Sequence, residues 1–468
     1  MPKIPLNQKP FVNVESIGNA NAIEFFADMV KDDFMNNRSR PGLGGASSNA
    51  FTDLGSGKKI DGMWYIRDIN VVACISGGKL YKVDSAGVVT EITGATITDG
   101  TTASFAEYNS KGYFCANSAI IEWDYTGNTC AALADPQAPT DATYIAFLDG
   151  YLVALKYDSA RFDWSVVDDP TSWNGEFATA EARPDNAQAL LSNFGQLFIP
   201  GEITTEHWTT TGDTTAPFQR LTGAVQERGC IAKYSVEQID NTYYYMDNER
   251  RVIRLTGYTP QVISNPYDAD FQDLTDVANA IGFHCNADGL TWYVLTFPTS
   301  QKTYFYDYKL DYWGELSFWD ADNLDRDHFL GLAGVWVDKW NKYLVGSRID
   351  GEIYCMSYDY STDNGLSVIS ELITGRIDWG TNQKKESQRL RVRVKRGHVA
   401  SGSLFVSYRD NGNTEWSNEK EVELGILGDT ETVVTFRQLG WYYDRQWRFR
   451  SDSPITIVSA EEDIQVIA

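Results

Sequence analysis

Residues 74–93 read CISGGKLYKVDSAGVVTEIT, and this stretch decides the fold class. Two runs with strand character, ACIS and KLYKVD, flank the turn Gly77-Gly78. A second turn, Ser85-Ala86-Gly87, leads into a third run, VVTEIT. Short apolar runs separated by glycine turns predict antiparallel strands. The stretch is therefore either a single hairpin or one copy of a repeated unit.

The same strand–turn–strand pattern returns along the chain, which favours the repeated unit. Further copies read YFCANSAIIEWDYTGNTCAAL (113–133), YLVALKYDSARFDWSVVDDPTSWN (151–174), LFIPGEITTEHWTTTGD (197–213), YYYMDNERRVIRLTGYTPQVIS (243–264), WYVLTFPTSQKTYFYDYKLDYWGELS (292–317) and YLVGSRIDGEIYCMSYD (343–359). Aligning one strand of each copy selects Tyr81, Trp123, Trp164, Trp208, Arg254, Tyr306 and Tyr354. Successive members of this set are 42, 41, 44, 46, 52 and 48 residues apart.

A drifting period of about 40–50 residues is typical of the blades of a β-propeller. Each blade has two apolar faces, and a closed ring of blades buries both. A stacked solenoid is the alternative, but solenoid periods are shorter and stricter. The sequence therefore predicts an all-β protein built on a β-propeller, with six or seven blades.

Two segments lie outside the predicted ring of residues 61–365. Residues 1–60 are polar and rich in Gly, Ser and Asn, which predicts an N-terminal arm. Within the arm, the apolar spacing of residues 21–35 suits a helix, or equally an extended arm laid across the first blade. Residues 366–468 contain seven alternating apolar and polar runs, which predicts a C-terminal antiparallel β-sandwich.

Composition excludes several classes of protein. The formal net charge of −24 argues against a protein that binds nucleic acid with its whole surface. The six cysteines are scattered and form no CxxC pair, so we expect buried free thiols and folding in a reducing compartment. The chain's start lacks an apolar signal segment, and no run approaches the 18 apolar residues of a membrane span, so we expect neither export nor a span.

Candidate catalytic and metal-binding residues are weak. The histidines, His207, His284, His328 and His398, lie in unrelated contexts, and no GxSxG, HExxH or Walker A motif is present. The string YRDNGNTEW (408–416) nearly matches the Asp-box turn of sialidase-type propellers, and we interpret it as a structural turn. The loop DADNLDRDH (320–328) carries four aspartates but lacks the glycine and distal glutamate of a calcium-binding EF-hand. The sequence thus predicts no enzyme and requires no cofactor.

The clearest charge feature is a basic stripe in KKESQRLRVRVKRGH (384–398). Arg389, Arg391, Arg393 and Lys395 alternate with aliphatic residues, so on a strand all four cations share one face. Arg448 and Arg450 flank Phe449 and could extend that face. These six residues are the candidate partner interface, which would bind an acidic partner or DNA. The alternative is an ordinary solvated sheet face with intramolecular Asp and Glu partners.

The order of several short motifs resembles one known family. These are SRPGL (39–43), GMWY (62–65), SGGKLYKVDSAG (76–87), TTEHWTTTGD (204–213), QERGCIA (226–232), DYWGEL (311–316) and RFRSDSPITIVSAEEDIQV (449–467). Together they resemble the packaged-DNA stabilisation proteins, also called tail accessory or tail hub proteins, of short-tailed bacteriophages.

The resemblance implies a non-enzymatic protein of the virion tail that folds in the host cytoplasm before assembly. It implies a homo-oligomeric ring of six copies below the portal and its adaptor. That ring would close the DNA exit channel after packaging, hold the tail needle and the tailspikes or fibres, and touch passing DNA non-specifically. Two alternatives stay open: a sialidase-like or carbohydrate-binding propeller, and a monomeric interaction scaffold.

Overall fold

The computed structural model describes residues 2–6, 21–23, 25–30, 34–45, 50–286, 288–320, 325–396, 402–424 and 431–467. Nearly all regular structure in these residues is β-strand. The N-terminal strands are β1 (Asn21–Ile23), β2 (Phe25–Val30), β3 (Phe34–Ser39), β4 (Gly42–Gly44) and β5 (Thr52–Asp53).

Seven four-stranded antiparallel units form the blades of a β-propeller: five are separate sheets, and two are parts of larger sheets. Blades 1 to 3 contain β6 (Ile60–Ile66), β7 (Val71–Ser76), β8 (Lys79–Val83), β9 (Val89–Ile92); β10 (Ser104–Tyr108), β11 (Lys111–Cys115), β12 (Ile121–Asp124), β13 (Cys130–Ala132); β14 (Ala142–Leu148), β15 (Tyr151–Lys156), β16 (Arg161–Val166) and β17 (Asp169–Thr179). Blades 4 and 5 contain β18 (Leu191–Asn193), β19 (Gln196–Pro200), β20 (Thr205–Thr210), β21 (Phe218–Arg220); β22 (Glu237–Ile239), β23 (Thr242–Met246), β24 (Val252–Thr256) and β25 (Thr259–Val262).

Blades 6 and 7 complete the ring. Blade 6 contains β26 (Ile281–Cys285), β27 (Trp292–Phe297), β28 (Lys302–Asp307) and β29 (Tyr312–Asp320), and β30 (Asp325–His328) pairs with β29. Blade 7 contains β31 (Gly331–Val337), β32 (Lys342–Ser347) and β33 (Glu352–Ser357), with β4 as its fourth strand. Connections hold the 3₁₀ turns Thr222–Ala224, Lys233–Ser235, Asn265–Tyr267 and Asp338–Trp340 and one short helix, α1 (Asp268–Asp273).

The seven residues aligned from the sequence each lie on the third strand of a different blade. They run from Tyr81 on β8 to Tyr354 on β33, so the count left open as six or seven is seven. The longest spacing, 52 residues before Tyr306, spans the connection that holds α1. The period drifts because both the connections between blades and the meanders themselves differ in length: blade 5 spans residues 237–262, whereas blade 3 spans residues 142–179.

Residues 74–93 contain the end of β7, all of β8 and all of β9 in blade 1. Gly77 and Gly78 have φ of 60° and 72° and join β7 to β8. Glycine adopts this left-handed backbone conformation without steric cost, which suits a two-residue hairpin turn.

Side chains of this blade pack in alternation against both neighbouring blades. Ala73 lies in one buried cluster with Trp123 of blade 2. Val72 and Cys74 lie in another with Leu344 of blade 7. Because consecutive side chains of a strand point to opposite faces, both faces of the blade are buried only in a ring. This packing is the physical reason for the repeat.

The N-terminal segment closes the ring. Strand β4 pairs with β33, with Leu43 opposite Met356, and β5 pairs with the same strand through Thr52 opposite Ile353. Strand β31 of blade 7 then packs against β6 of blade 1. The last blade therefore contains both early and late parts of the chain.

Of the two predictions for residues 21–35, the helix is wrong, and the extended arm is right in conformation but does not lie across the first blade. The described residues of this segment form strands: β1 lies between β29 of blade 6 and a C-terminal strand, and β2 pairs with β3. The apolar spacing was ambiguous between helix and strand. Pairing with strand edges, which need backbone hydrogen-bond partners, decides in favour of strands.

Of the described C-terminal strands, the first two extend the sheet of blade 7, and the other eight form two packed sheets. In chain order, the strands are β34 (Thr362–Asp363), β35 (Leu366–Ser367), β36 (Ser370–Ile373), β37 (Lys385–Arg396), β38 (Ser403–Asp410), β39 (Lys420–Glu423), β40 (Glu431–Arg437), β41 (Trp441–Tyr442), β42 (Arg445–Ser451) and β43 (Ile455–Val466). One sheet has the order β36-β42-β38-β39, and the other has the order β2-β3-β43-β37-β40. Their inner faces share one buried core, for example Val392 against Phe449.

This core continues into the propeller. Val294 of blade 6 and Val345 of blade 7 belong to the same buried cluster, and β1 joins β29 to β36 in one sheet. The division into residues 1–60, 61–365 and 366–468 stays a prediction, since all three segments share sheets. In the described part of the chain, no helix has the length and apolar character needed to cross a membrane.

Candidate partner-binding surface

The predicted stripe of cations lies on β37, in the centre of its sheet. Leu390, Val392 and Val394 are fully buried in the core between the two sheets. Arg391 and Arg393 point to the opposite, outer face and retain solvent exposure. The alternation of the sequence thus places the cations as predicted. We call this outer face, with its neighbours on β40 and β43, the β37 face.

Two of the four cations have intramolecular partners. Arg389 Nε lies 3.0 Å from Asp463 Oδ2, and Arg393 Nη1 lies 3.3 Å from Glu431 Oε1. Arg391 and Lys395 have no carboxylate oxygen within 4.0 Å among the described residues. The β37 face is therefore partly neutralised, and its unpaired charge is centred on Arg391 and Lys395.

Arg448 and Arg450 do not extend the stripe, contrary to the prediction. They lie on β42, in the other sheet, whose inward side chains are Trp447 and Phe449. Because two packed sheets turn their outer faces away from each other, the two arginines lie on the opposite surface of the sandwich. Both bind Glu419, and Arg448 Nη2 lies 3.3 Å from its Oε1. The hydrogen bond from Arg450 lowers the pKa of that carboxyl.

The β37 face also exposes apolar groups that the sequence analysis missed. Val433 on β40 lies opposite Arg393 and is 51% exposed. Trp441 on β41 is 60% exposed, and the Lys384 ammonium lies 3.6 Å from its ring centroid. In the alternation of β40, Val433 occupies an outward position where a polar residue is expected. An apolar side chain at an outward strand position is visible in the sequence, and it is a feature that candidate interfaces share.

The candidate catalytic histidines lie in separate elements with separate partners. His207 is on β20, His284 is 3.3 Å from Glu237, and His328 is 2.6 Å from Asp327. His398 lies outside the described residues. The structure therefore brings none of the three described histidines together into a common site.

His207 is a structural residue whose burial predicts acid sensitivity. Burial lowers its pKa to about 4, and its ring packs edge-on against Tyr258 at 4.8 Å. The unfolded chain binds a proton below about pH 6.5 that the folded chain refuses until about pH 4. The free energy of unfolding should therefore fall with decreasing pH, by at most about 1.4 kcal/mol per pH unit from this residue. We expect His207→Gln to flatten this slope in urea titrations; an unchanged slope would contradict the assignment.

The turn that resembles an Asp box has a structural role. Asp410 Oδ1 accepts a hydrogen bond from Arg445 Nε at 2.7 Å, inside the sandwich. Asn411 and Gly412 follow with positive φ, as a tight turn requires. This arrangement uses the carboxylate for packing and leaves nothing for glycoside chemistry.

The aspartate-rich loop shows only part of the predicted cluster. Asp320 lies opposite Asp325 across the β29–β30 hairpin, and Asp327 pairs with Arg348 at 2.6 Å. Asp322 lies outside the described residues. Among the residues that are described, no group of three or more His, Cys, Asp or Glu side chains is arranged to hold a metal ion.

The inner strands of the blades line a cavity around the propeller axis. Its volume is about 450 Å³, and its lining includes the aromatic side chains of Trp64, Phe105, Tyr144, Phe147 and Tyr234.

Comparisons with known proteins complete the description. Similar solved structures include the WD40 propeller domain of Doa1 (TM-score 0.40, 11% identity, covering 65% of this chain and 94% of that one). Others are virginiamycin B lyase from Staphylococcus aureus (0.41, 10%, 65% and 97%) and the extracellular domain of BT4673 from B. thetaiotaomicron (0.45, 8%, 75% and 42%).

No curated protein matches the chain in sequence. A family model described as "Bacteriophage P22 Gp10, beta-propeller" matches residues 47–361, which contain all seven blades except the closing strand β4. This match extends over more than half of the chain. The protein therefore belongs to the packaged-DNA stabilisation family of the bacteriophage P22 Gp10 β-propeller.

Proposed function

We propose that this protein is a tail hub of a short-tailed bacteriophage virion. Family membership supports a structural protein of the phage tail and suggests that it is not an enzyme. In our proposal it folds in the host cytoplasm and assembles as a ring, with six copies, below the portal and its adaptor. The ring closes the DNA exit channel after packaging and anchors the tail needle and the tailspikes or fibres.

The observation that carries the proposal is the match of the family model over the blades, from residue 47 to residue 361. The structure adds a rigid scaffold with both faces of each blade buried. Such a scaffold offers broad outer surfaces for several partners at once, as a hub requires.

In this proposal the DNA channel runs between the copies of the protein that form the ring. The net charge of −24 suits a channel wall, because an acidic surface repels the phosphate backbone and DNA slides past without binding. Contact with passing DNA would then be non-specific.

The β37 face is the surface that we assign to a neighbouring protein. Its unpaired cations, Arg391 and Lys395, lie beside the exposed Val433 on a chain that is otherwise strongly acidic. An apolar patch with cations around it fits an acidic partner surface, and complementary charge gives both orientation and specificity.

Charge reversal at Arg391 tests this assignment. We expect Arg391→Glu to reduce incorporation into phage particles at least about tenfold, because like charges placed across an interface cost more than 1.4 kcal/mol. The measurement is the copy number per particle, and the fraction of particles that retain DNA, after complementing phage that lack the protein.

Lys58→Glu is the matched control. Lys58 is 61% exposed on a loop of blade 1, far from β37 in sequence, and makes the same change in net charge. Full incorporation of the Arg391 variant would show that the β37 face is a solvated sheet surface. A wild-type protein that never enters the tail would overturn the proposed function itself.

A further inference from the structure

One end of the propeller carries an unusual residue. In an antiparallel blade, the turns after the first and third strands lie at the same end of the ring. We call this end the lower face. Its inner turns, between the first and second strands of each blade, are residues 67–70, 109–110, 149–150, 194–195, 240–241, 286–291 (of which 287 is not described) and 338–341.

Phe194 occupies the inner turn of blade 4 with φ of 52° and with 70% of its surface exposed. A left-handed backbone is sterically costly for an aromatic residue, and Asn, Asp or Gly is usual there. The matching positions in blades 3 and 5 are Asp149 and Asp240, both with positive φ. The sequence SNFGQ (192–196) thus places a large apolar ring in a turn whose counterparts in blades 3 and 5 carry a small polar residue.

Two other bulky residues with positive φ, Arg250 and Trp379, have contacts that offset the strain. Arg250 donates hydrogen bonds to the carbonyl oxygens of Gln272 and Leu274. Trp379 packs against the sandwich core and donates to Tyr442. Within the described residues, the Phe194 ring stacks on no other ring. Strain that no internal contact offsets points to a role outside the chain.

The surroundings of Phe194 are acidic. Five of the seven inner turns carry an aspartate: Asp68, Asp149, Asp240, Asp288 and Asp338. Among these, Asp338 is paired with Arg67 at 3.0 Å, whereas Asp149 and Asp240 beside Phe194 have no ion pair in the described chain. The lower face therefore carries an exposed aromatic group, and the aspartates of the two flanking blades have no cationic partner among the described residues.

We propose that Phe194 docks on the β37 face of a second copy of this protein. That face has the complementary chemistry: the exposed Val433 lies between the unpaired cations Arg391 and Lys395, and the exposed Trp441 lies further along β37, opposite Glu386. The partner is a second copy because both halves of the match occur on one chain. This inference rests on the proposed function, and it names the contact that would join the copies.

Such a contact is heterologous, since different surfaces meet. Heterologous contacts repeat from copy to copy and close into a ring when the rotation permits. Phe194 and the β37 face of the same chain do not contact each other. The β37 sheet belongs to the sandwich joined to blade 6, while Phe194 lies on blade 4.

Phe194→Asn separates docking from folding. Asparagine accepts the left-handed conformation, so the variant should unfold at the same temperature as the wild type or at a higher one. Its incorporation into phage particles should fall at least tenfold. Phe177→Asn is the matched control, because Phe177 is 52% exposed on the outer strand of blade 3. A Phe194→Asn protein that assembles like the wild type would overturn the inference.

A cysteine pair identifies the partner. All six native cysteines are buried, so oxidation should link only introduced thiols. A chain carrying both Gln196→Cys and Thr435→Cys keeps Phe194 and Val433, so it should give a ladder of covalent oligomers in assembled tails, and each single variant should not. Particles that incorporate the double variant without a ladder would show that Phe194 contacts another tail protein or nothing, while leaving the proposed function standing.

Discussion

Arg40→Met is expected to lower the free energy of unfolding by about 3–5 kcal/mol, the usual cost of removing one member of a buried ion pair. Arg40 is 1% exposed and its partner Asp363 is 3% exposed. Arg40 Nη1 donates to Asp363 Oδ1 at 2.9 Å, and Nη2 contacts Oδ2. The same carboxylate accepts the Leu43 amide at 3.1 Å, which positions the closing strand β4. Losing the arginine leaves an unpaired charge where the ring closes.

Urea unfolding and limited proteolysis measure this effect. We expect the Arg40 variant to be cleaved in the segment before blade 1, because β4 detaches when its anchor is lost. Arg67→Met is the matched control: Arg67 pairs with Asp338 at 3.0 Å but is 71% exposed, and such surface pairs contribute about 0–1 kcal/mol. Adding Asp363→Asn to Arg40→Met should recover part of the loss, since it removes the stranded charge and keeps an acceptor for Leu43. Equal losses at Arg40 and Arg67 would contradict the prediction.

The blades could be predicted from sequence because their determinants are local. Turn glycines such as Gly77 and the apolar strand of each meander lie within a few residues of one another, so the aligned residues found the third strand of every blade. Ring closure could not be predicted in this way. Arg40 and Asp363 are 323 residues apart, and nothing near SRPGL indicates that its arginine is buried.

The candidate partner interface likewise contains residues that local sequence placed correctly and residues whose position depends on distant parts of the chain. Alternation along β37 is local, and it correctly placed Arg391 outside and Val392 inside. The same alternation placed Arg448 outside, but which sheet it belongs to depends on strand pairing over long separations. The ion pair between Arg389 and Asp463 likewise depends on the tertiary structure, because the two residues lie far apart in the sequence. Which partner meets the β37 face stays a prediction.

Arg445→Met is expected to have an effect as large as the loss of Arg40, again about 3–5 kcal/mol. Arg445 is 1% exposed and lies between the two sheets of the sandwich. Its Nε and Nη2 donate to Asp410 at 2.7 and 2.8 Å, and Nη1 lies 3.8 Å from Glu462 Oε1. Tyr408 stacks on the guanidinium at 3.9 Å. One buried cation thus pairs with two carboxylates, and its removal takes the cationic partner away from both.

The pH dependence of this loss in the free energy of unfolding distinguishes two causes. One is a buried carboxylate left without its cation, and the other is lost packing around the guanidinium. Burial raises the pKa of Glu462, and Arg445 opposes that shift. A carboxyl with a raised pKa binds its proton more tightly in the folded state, so the free energy of unfolding falls as pH rises above its usual value of about 4.3. Without Arg445 the pKa rises further and the fall becomes steeper. The loss in Arg445→Met should therefore be larger at about pH 7.5 than at about pH 5, and adding Glu462→Gln should reduce it. A loss that is equal at both pH values would mean that Arg445 stabilises the sandwich by packing on Tyr408 alone.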